Sequence, residues 1–255
     1  GIEVERSGEI KYNGVPISNF YIEGLDMLQG RYGIATQNIR ASDIGMVEVL
    51  ERHQPIKLFE NMTLSDKTAL NLKLKDSSRN IWSLASQAGG GYKPKMWCAD
   101  LTAMNFSRNF QSMEVYKTNN AGNNVASEAV THYQQSEETS TRIGVAEPIL
   151  PDINERYFLR NSIHYATINP ITGDPSKRQI TVNGLYSHDN QLSEGQSEIK
   201  FYAPNNSTTL VKEKIEANKI LNKGNIALGF KRNSQKVYLN GWVKANGEWQ
   251  NNKGT

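Results

Sequence analysis

The chain carries a single cysteine, Cys98, in 255 residues. One thiol excludes an intramolecular disulfide and a multi-cysteine metal site. No apolar run reaches the ~18 residues of a transmembrane helix, and the mean hydropathy is −0.60. Membrane-spanning β-strands are not excluded, because they alternate apolar-out with polar-in over about 9–11 residues and keep a low mean hydropathy. Neither sign of charge dominates: Lys and Arg number 29 against 26 Asp and Glu, a formal +3. That gives no stripe for a polyanion, and no nucleic-acid partner is expected. The four histidines, His53, His132, His164 and His188, are scattered without HxxxH or HxH spacing, so each is read as solvated or interior-facing and no metal site is assigned. Ser197-Glu198-Ile199-Lys200 matches SxxK without that enzyme class's other motifs, and Gly89-Gly90-Gly91 lacks the Lys-Ser/Thr of a phosphate loop. With no nucleophile–base pair either, the chain is read as a non-enzyme with no catalytic residues and no cofactor.

What is present is short-range β patterning. Asn13-Gly14 inside Ile10–Ile17 is a strong hairpin signal, since a type I′ turn needs positive φ at both central residues. Pro16 pushes its strand to a sheet edge. Phe20–Glu23 reads as a short strand and Leu25–Ile34 as a loop punctuated by Gly24 and Gly30. Ser42 is the expected N-cap of one helical turn, with Asp43 at its positive end. Val47 and Val49 suggest a strand, and Thr63–Asp66 a turn. Leu70, Leu72 and Leu74 alternate with Asn71, Lys73 and Lys75, as in a half-exposed strand.

Three segments of this region occur in a telling order: Phe20-Tyr21-Ile22-Glu23-Gly24-Leu25-Asp26, Asp43-Ile44-Gly45-Met46-Val47-Glu48-Val49-Leu50, and Ala69-Leu70-Asn71-Leu72-Lys73-Leu74-Lys75. They resemble the "YxIDG", "DIxxVEVL" and "xxINIxxK" segments in the plug domain of TonB-dependent outer-membrane receptors. Their order and spacing carry the resemblance, not any one of them. The Ile10–Ile17 hairpin and His53-Gln54-Pro55-Ile56-Lys57 narrow it to a Bacteroidota subfamily in which a carboxypeptidase-like regulatory domain precedes the plug. The resemblance covers the first third of the chain well and the remainder more loosely.

Residues 76–255 read as successive strands. Trp82, Leu84, Ala88 and Tyr92 share one phase, and Pro94 sits in a tight turn. Trp97, Ala99, Leu101 and Ala103 alternate with Met96, Cys98, Asp100 and Thr102; Met113 and Val115 alternate with Ser112, Glu114 and Tyr116. After a polar stretch, Asn119–Asn154, whose Asn119–Asn124 start is read as a turn, Tyr157, Leu159, Ile163 and Tyr165 oppose Arg160, Ser162 and His164. Ile180, Val182, Gly184 and Tyr186 oppose Gln179, Thr181 and Asn183. Ile199 and Phe201, then Ile226, Leu228 and Phe230, then Val237, Leu239 and Val243, continue the rule. Val211–Lys223 fits a helix or a strand and is assigned to strand with its neighbours. Turns at Ser107–Asn109, Pro170–Ser176 and Pro204–Thr208 are expected at one end of the strands and the long Asn119–Asn154 segment at the other. Trp82, Tyr92, Tyr116, Tyr157, Tyr186, Tyr202 and Trp249 fit aromatic girdles.

The fold class expected is therefore mainly β: a partial α+β plug over residues 1–75, then antiparallel transmembrane β-barrel strands over 76–255. Eight or nine strands fall short of the ~22 of plugged transporters, so an incomplete barrel is expected. The resemblance implies a fragment that begins inside the plug, with signal peptide and TonB box upstream. It implies uptake of a ligand across the outer membrane of a Gram-negative bacterium, energised through TonB. The ligand class stays open among iron chelate, glycan, peptide and cobalamin-like molecule. Implied partners are the inner-membrane TonB complex, outer-membrane lipid, the small ligand or nutrient, and a surface lipoprotein. Arg31 and Tyr32 are the candidate ligand-facing residues of the plug, with Arg31 pairing to the barrel wall as the alternative; Asn119–Asn154 is the candidate ligand-facing loop. A polar plug surface meeting a polar wall is expected. The competing readings are a soluble secreted β-rich binding or adhesive module and a β-rich hydrolase.

Overall fold

The structure, a computed structural model, describes residues 1–5, 8–133, 145–174, 177–202 and 207–254. The first part holds two small sheets. Strands β1 (Ile2–Val4), β2 (Ile10–Tyr12) and β3 (Val15–Pro16) form an antiparallel sheet in that order. The Asn13-Gly14 turn joins β2 to β3 with φ of 50° and 80°, as the hairpin signal requires. Strands β4 (Asn19–Ile22), β5 (Ile44–Leu50) and β6 (Ala69–Leu74) form the second sheet in the order β4-β6-β5. There β4 runs parallel and β5 antiparallel to β6. A crossover carrying α1 (Gly33–Asn38) links β4 to β5.

Three local expectations are corrected here. The half-exposed strand is β6, and as the central strand it is covered on both faces: Asn71 is buried along with Leu70, Leu72 and Leu74. Ser42 lies inside a single 3-10 turn, Ala41–Asp43, whose N-cap position is Arg40 and whose cap lacks a side-chain bond. The loop Leu25–Ile34 ends inside α1, a helix of six residues that no periodicity announces.

The second part is one eight-stranded sheet, so the mainly β class with antiparallel strands holds. Its strands are β7 (Trp82–Gly91), β8 (Met96–Phe106), β9 (Phe110–Asn119), β10 (Arg160–Ile168), β11 (Ile171–Gly173), β12 (Arg178–Tyr202), β13 (Thr208–Asn233) and β14 (Tyr238–Gly254). The order is β14-β13-β12-β10-β9-β8-β7, with β11 pairing both β12 and β9 below the end of β10. Pro170 lacks an N–H for the ladder and separates β10 from β11, while its carbonyl still accepts from Val182 N at 2.9 Å. The chain enters this sheet at the end bearing the Ser107–Asn109 turn, here called proximal. The Tyr92–Lys95 turn and the β9–β10 connection lie at the opposite, distal end.

Register corrects the turn assignment. Ile180–Tyr186 and Ile199–Phe201 belong to one 25-residue strand, and Val211–Lys223 lies inside one 26-residue strand. The β12–β13 reversal therefore falls at the distal end, not with Ser107–Asn109; its residues 203–206 lie outside the described residues. The matching proximal turn is Ser234–Val237, closed by Ser234 N to Val237 O at 2.9 Å. Of Pro170–Ser176, Ile171–Gly173 form β11, and Pro175 and Ser176 lie outside the described residues. Thr63–Asp66 is irregular; Ser65 Oγ donates to His53 O at 2.7 Å. Tyr157 sits in a 3-10 turn ahead of β10, and Tyr202 ends β12 far from Tyr186, so neither belongs to a girdle.

Alternation sorts the sheet's side chains to two faces. One face carries Gln179, Thr181, Asn183 and Ser187 on β12, all buried, and Met113, Val115, Ile163 and Tyr165 on β9 and β10. The α+β unit packs on this inner face. The core joins its Ile22, Leu25, Met27, Leu28, Tyr32 and Ile34 to Met104, Phe106, Met113, Val115, Ile163, Tyr165 and Ile171 of the sheet. The expected polar-on-polar contact is thus corrected: its centre is apolar, and each large side chain enclosed there contributes about 1.5–3 kcal/mol. The polar contacts surround that centre. The opposite face presents Leu84, Leu101, Ile168, Ile180, Ile226, Leu228, Phe230 and Val243 to the exterior.

Candidate ligand-facing cavity

Two polar clusters tie the α+β unit to the sheet. In the first, Asn169 is fully buried; its Nδ2 donates to Met113 O at 3.1 Å and to Thr167 Oγ1 at 3.0 Å. Its Oδ1 accepts from Asn183 Nδ2 at 3.0 Å and from Arg31 Nη2 at 2.9 Å, and Asn183 Nδ2 also donates to Met27 O at 2.9 Å. Burial pulls the Arg31 guanidinium below its ordinary range. Gln111 Nε2 adds a bond to Ile22 O at 3.0 Å.

The second cluster centres on Glu128 in the β9–β10 connection. It accepts from Lys117 Nζ at 2.6 Å and from Asn38 Nδ2 at 3.1 Å, so one carboxylate joins the sheet to the C-terminal end of α1. The same connection then runs along the α+β unit. His132 N donates to Gly30 O at 3.0 Å, and the His132 ring stacks on Tyr32 with centroids 4.8 Å apart. Tyr133 OH donates to Asp26 Oδ2 at 3.1 Å and accepts from Phe20 N at 2.7 Å. Gly30 makes room for this: its φ is +89°, and a Cβ there would stand 2.7 Å from the Tyr133 ring. Asp26 is enclosed, and burial pushes its carboxyl from 3.8 up to about 6, with Lys231, Tyr133, Gln29 and Asn19 opposing that rise.

The sequence candidates separate in this arrangement. Tyr32 has no exposed surface; its hydroxyl accepts from Ile10 N at 3.1 Å, and it works as a core residue. Arg31 bonds the sheet at Asn169, the wall-pairing alternative for it, and also borders a cavity of 420 Å³ with Gln29, Asn183, Trp242 and Lys244.

A more polar cavity, of 570 Å³, opens distally. Gln37 of α1, Gln87, Cys98, Asp100, Lys117 and Asn119 of the sheet, and Asn123, Asn124, Glu128, Asn154, Glu155 and Arg156 of the β9–β10 connection line it. The candidate loop thus supplies much of the lining; its residues 134–144 lie outside the described residues. Asn119 Oδ1 accepts from Ala121 N at 3.1 Å and Asn123 N at 3.2 Å, forming a turn at Asn119–Asn124 as expected, and Asn124 Nδ2 reaches Glu155 Oε1 at 3.1 Å. Gly122, at φ +77°, lies so close to Leu159 O that a Cβ would meet it at 2.7 Å. Chemically the cavity offers carboxamide donors and acceptors with Lys117 already held by Glu128.

A third cavity, 610 Å³, sits proximally between Tyr21, Asp26, His53, Lys57 and the sheet residues Gln179, Lys231 and Asn233. Tyr21 OH lies 2.8 Å from His53 Nε2, and Asn233 bridges Lys57 N at 3.0 Å and Pro55 O at 2.8 Å. Of the histidines, His53 and His132 are packed against tyrosines of the α+β unit, while His164, which is exposed, and His188 stand on the sheet's exterior face. No sequence signal announced Glu128, Tyr133 or Asn169, because the bond by which each ties the α+β unit to the rest of the chain spans 90 or more residues.

No family model matches the sequence, and no curated protein does. Among solved structures, the alcaligin outer-membrane receptor FauA of Bordetella pertussis is similar at a TM-score of 0.24 and 12% identity, over 100% of this chain and 43% of that one. The chain thus spans less than half of that structure's length, and a likeness this slight carries none of the argument below.

Proposed function

We propose that this chain is the plug and first wall strands of a TonB-dependent outer-membrane receptor, which takes up a ligand and performs no covalent chemistry. The observation that carries the reading is the banding of the exterior face. Along β12, Ile180, Val182, Gly184 and Tyr186 stand between Arg178 and His188. The paired β13 positions run from Arg232 through Phe230, Leu228, Ile226 and Gly224 to Asn222. Ten residues (188 − 178) at about 3.3 Å each span ~33 Å along the strand. With the ~40° tilt of barrel strands this becomes ~25 Å, the height of an outer-membrane apolar band. Trp249 pairs with Asn222 and Tyr186 lies one row below His188, where interfacial aromatics belong. Over the same span the inner face of β12 is polar except at Leu185, which packs against the core, and it backs a globular α+β unit, as in a plugged barrel.

The ordered motifs of the α+β unit support the Bacteroidota-type assignment. In this reading the distal end faces outward, the 570 Å³ cavity is where ligand meets plug, loop and wall, and work reaches the plug from TonB. A surface lipoprotein would meet the distal end. The test is fractionation of the full-length native protein with gel mobility before and after boiling. Outer-membrane recovery and a mobility shift are expected; a soluble, monomeric product of this length would overturn the reading in favour of a secreted binding module.

A further inference from the structure

The exterior face carries a groove of 460 Å³ that crosses five strands, β8, β9, β10, β12 and β13. Its floor is made of small residues: Ala103 on β8, Ala166 on β10 and Gly184 on β12. Tyr116, Tyr186 and Ile226 rise around them. Register explains the shape, because Ala166 is paired with Tyr116 on one side and Tyr186 on the other, so a methyl group stands between two phenol rings. At Gly184 an added Cβ would lie 2.8 Å from Ile168 Cγ2, so a larger residue there would displace Ile168 into the groove.

One row further distal the chemistry changes. Thr118, His164, His188 and Asn222 are mutually paired across β9, β10, β12 and β13. Tyr116 OH lies 3.0 Å from His164 Nδ1, and His188 Nδ1 lies 2.7 Å from Asn222 Oδ1. Each ring's Nδ1 is engaged within the sheet, so Nε2 is the atom it offers outward. An apolar slot that ends at a row of hydrogen-bonding groups is complementary to an amphiphile. Its volume falls within the about 300–1,000 Å³ of small-molecule sites.

We propose that this groove holds one acyl chain of a membrane lipid, with the lipid headgroup meeting the Thr118–His164–His188–Asn222 row. The proposal rests on the membrane-spanning reading above. Glu114, on the groove's proximal side, is its one acidic member; it accepts from Ser112 Oγ, and its Oε2 is enclosed without a partner among the described residues. A carboxylate beside an acyl chain weakens the site, so replacing it by a hydrocarbon tightens binding.

The experiment reconstitutes the full-length protein with phosphatidylethanolamine vesicles, re-extracts it in mild detergent and counts retained lipid by native mass spectrometry. Wild type is expected to keep one phosphatidylethanolamine when excess detergent has stripped the rest. Ala166→Phe, which fills the floor from the exterior, is expected to lower that occupancy about tenfold, a loss of ~1.4 kcal/mol. Glu114→Leu is expected to raise it. Retention by Ala166→Phe equal to wild type, no retention by wild type, or a protein rather than a lipid displaced by Ala166→Phe would each overturn the proposal. If boiling still shifts the mobility of both variants, such a failure falls on the lipid site alone; absence of the protein from membranes would overturn the receptor reading and this one with it.

Discussion

Replacing Asp26 by asparagine isolates what one enclosed carboxyl does to the docking of the α+β unit. Asp26 sits under Tyr133, with Lys231 of the sheet nearby, and burial lifts its carboxyl from 3.8 to about 6. The unit therefore binds more protons docked than undocked between those values, and its stability falls as pH rises through that window. Stability from this group is fully present below ~pH 4 and lost above ~pH 6, with a drop on the order of 3 kcal/mol at ~1.4 kcal/mol per pKa unit. The Asp26→Asn substitution would remove this group's share of the pH dependence. It would keep an acceptor for Gln29 N, now 3.1 Å from Oδ1, and lose the Tyr133 O–H donation, a cost of about 1 kcal/mol. The variant should thus be less stable than wild type at pH 4 and more stable, by ~2 kcal/mol, at pH 7.5. The assay is urea unfolding of the unit at both pH values, reported by a fluorophore on a cysteine replacing the exposed Leu64, with Cys98→Ser in all variants. Equal pH slopes for wild type and Asp26→Asn would refute the reasoning.

Three further outcomes follow from the same contacts. Asn169→Leu removes the acceptor shared by Arg31 and Asn183 and leaves a half-buried guanidinium unpaired at that atom; a loss of about 1.5–3 kcal/mol is expected in the same urea titration. Met113→Ala, at the centre of the shared core, should cost about 2–5 kcal/mol, whereas Met62→Ala, exposed in the unit, should cost under ~0.5 kcal/mol. Gly30→Ala combines a positive φ with a Cβ 2.7 Å from the Tyr133 ring, so it should free the β9–β10 connection; faster hydrogen exchange at Phe20 N, which now donates to Tyr133 OH, checks this.

How much of this was legible in the sequence depends on the range of the physics involved. Period-two alternation is local, and it placed the faces of β8, β12 and β13 correctly, along with the Asn13-Gly14 turn. Even the ambiguous Val211–Lys223 resolved as strand, because β12 pairs with it along its whole length. Alternation says nothing of how many strands cover a given one. Hence β6, which reads as half-exposed, is central and buried. Nor does it fix strand length: taking Ile180–Tyr186 and Ile199–Phe201 as two strands inverts the end at which Pro204–Thr208 falls. The cavity was only partly visible. The polar Asn119–Asn154 segment does line it, but Arg31 and Tyr32 come from a loop whose contacts are tertiary, and Tyr32 is enclosed by His132 and Phe20. Glu128 and Tyr133 left no signal, since a carboxylate and a phenol in a polar loop look alike whether solvated or docked.

The central claim is that the exterior face of the large sheet lies in lipid while its inner face does not. Single nitroxide labels along β12 at Gln179, Ile180, Thr181, Val182, Asn183, Gly184, Leu185, Tyr186, Ser187 and His188, in the full-length reconstituted protein with Cys98→Ser, measure it site by site. The account predicts collisions with oxygen that peak at Ile180, Val182, Gly184 and Tyr186, alternate with period two, and give way at His188 to access for a water-soluble nickel chelate. Access for the chelate at Ile180 through Tyr186, or oxygen collisions without alternation, would contradict it.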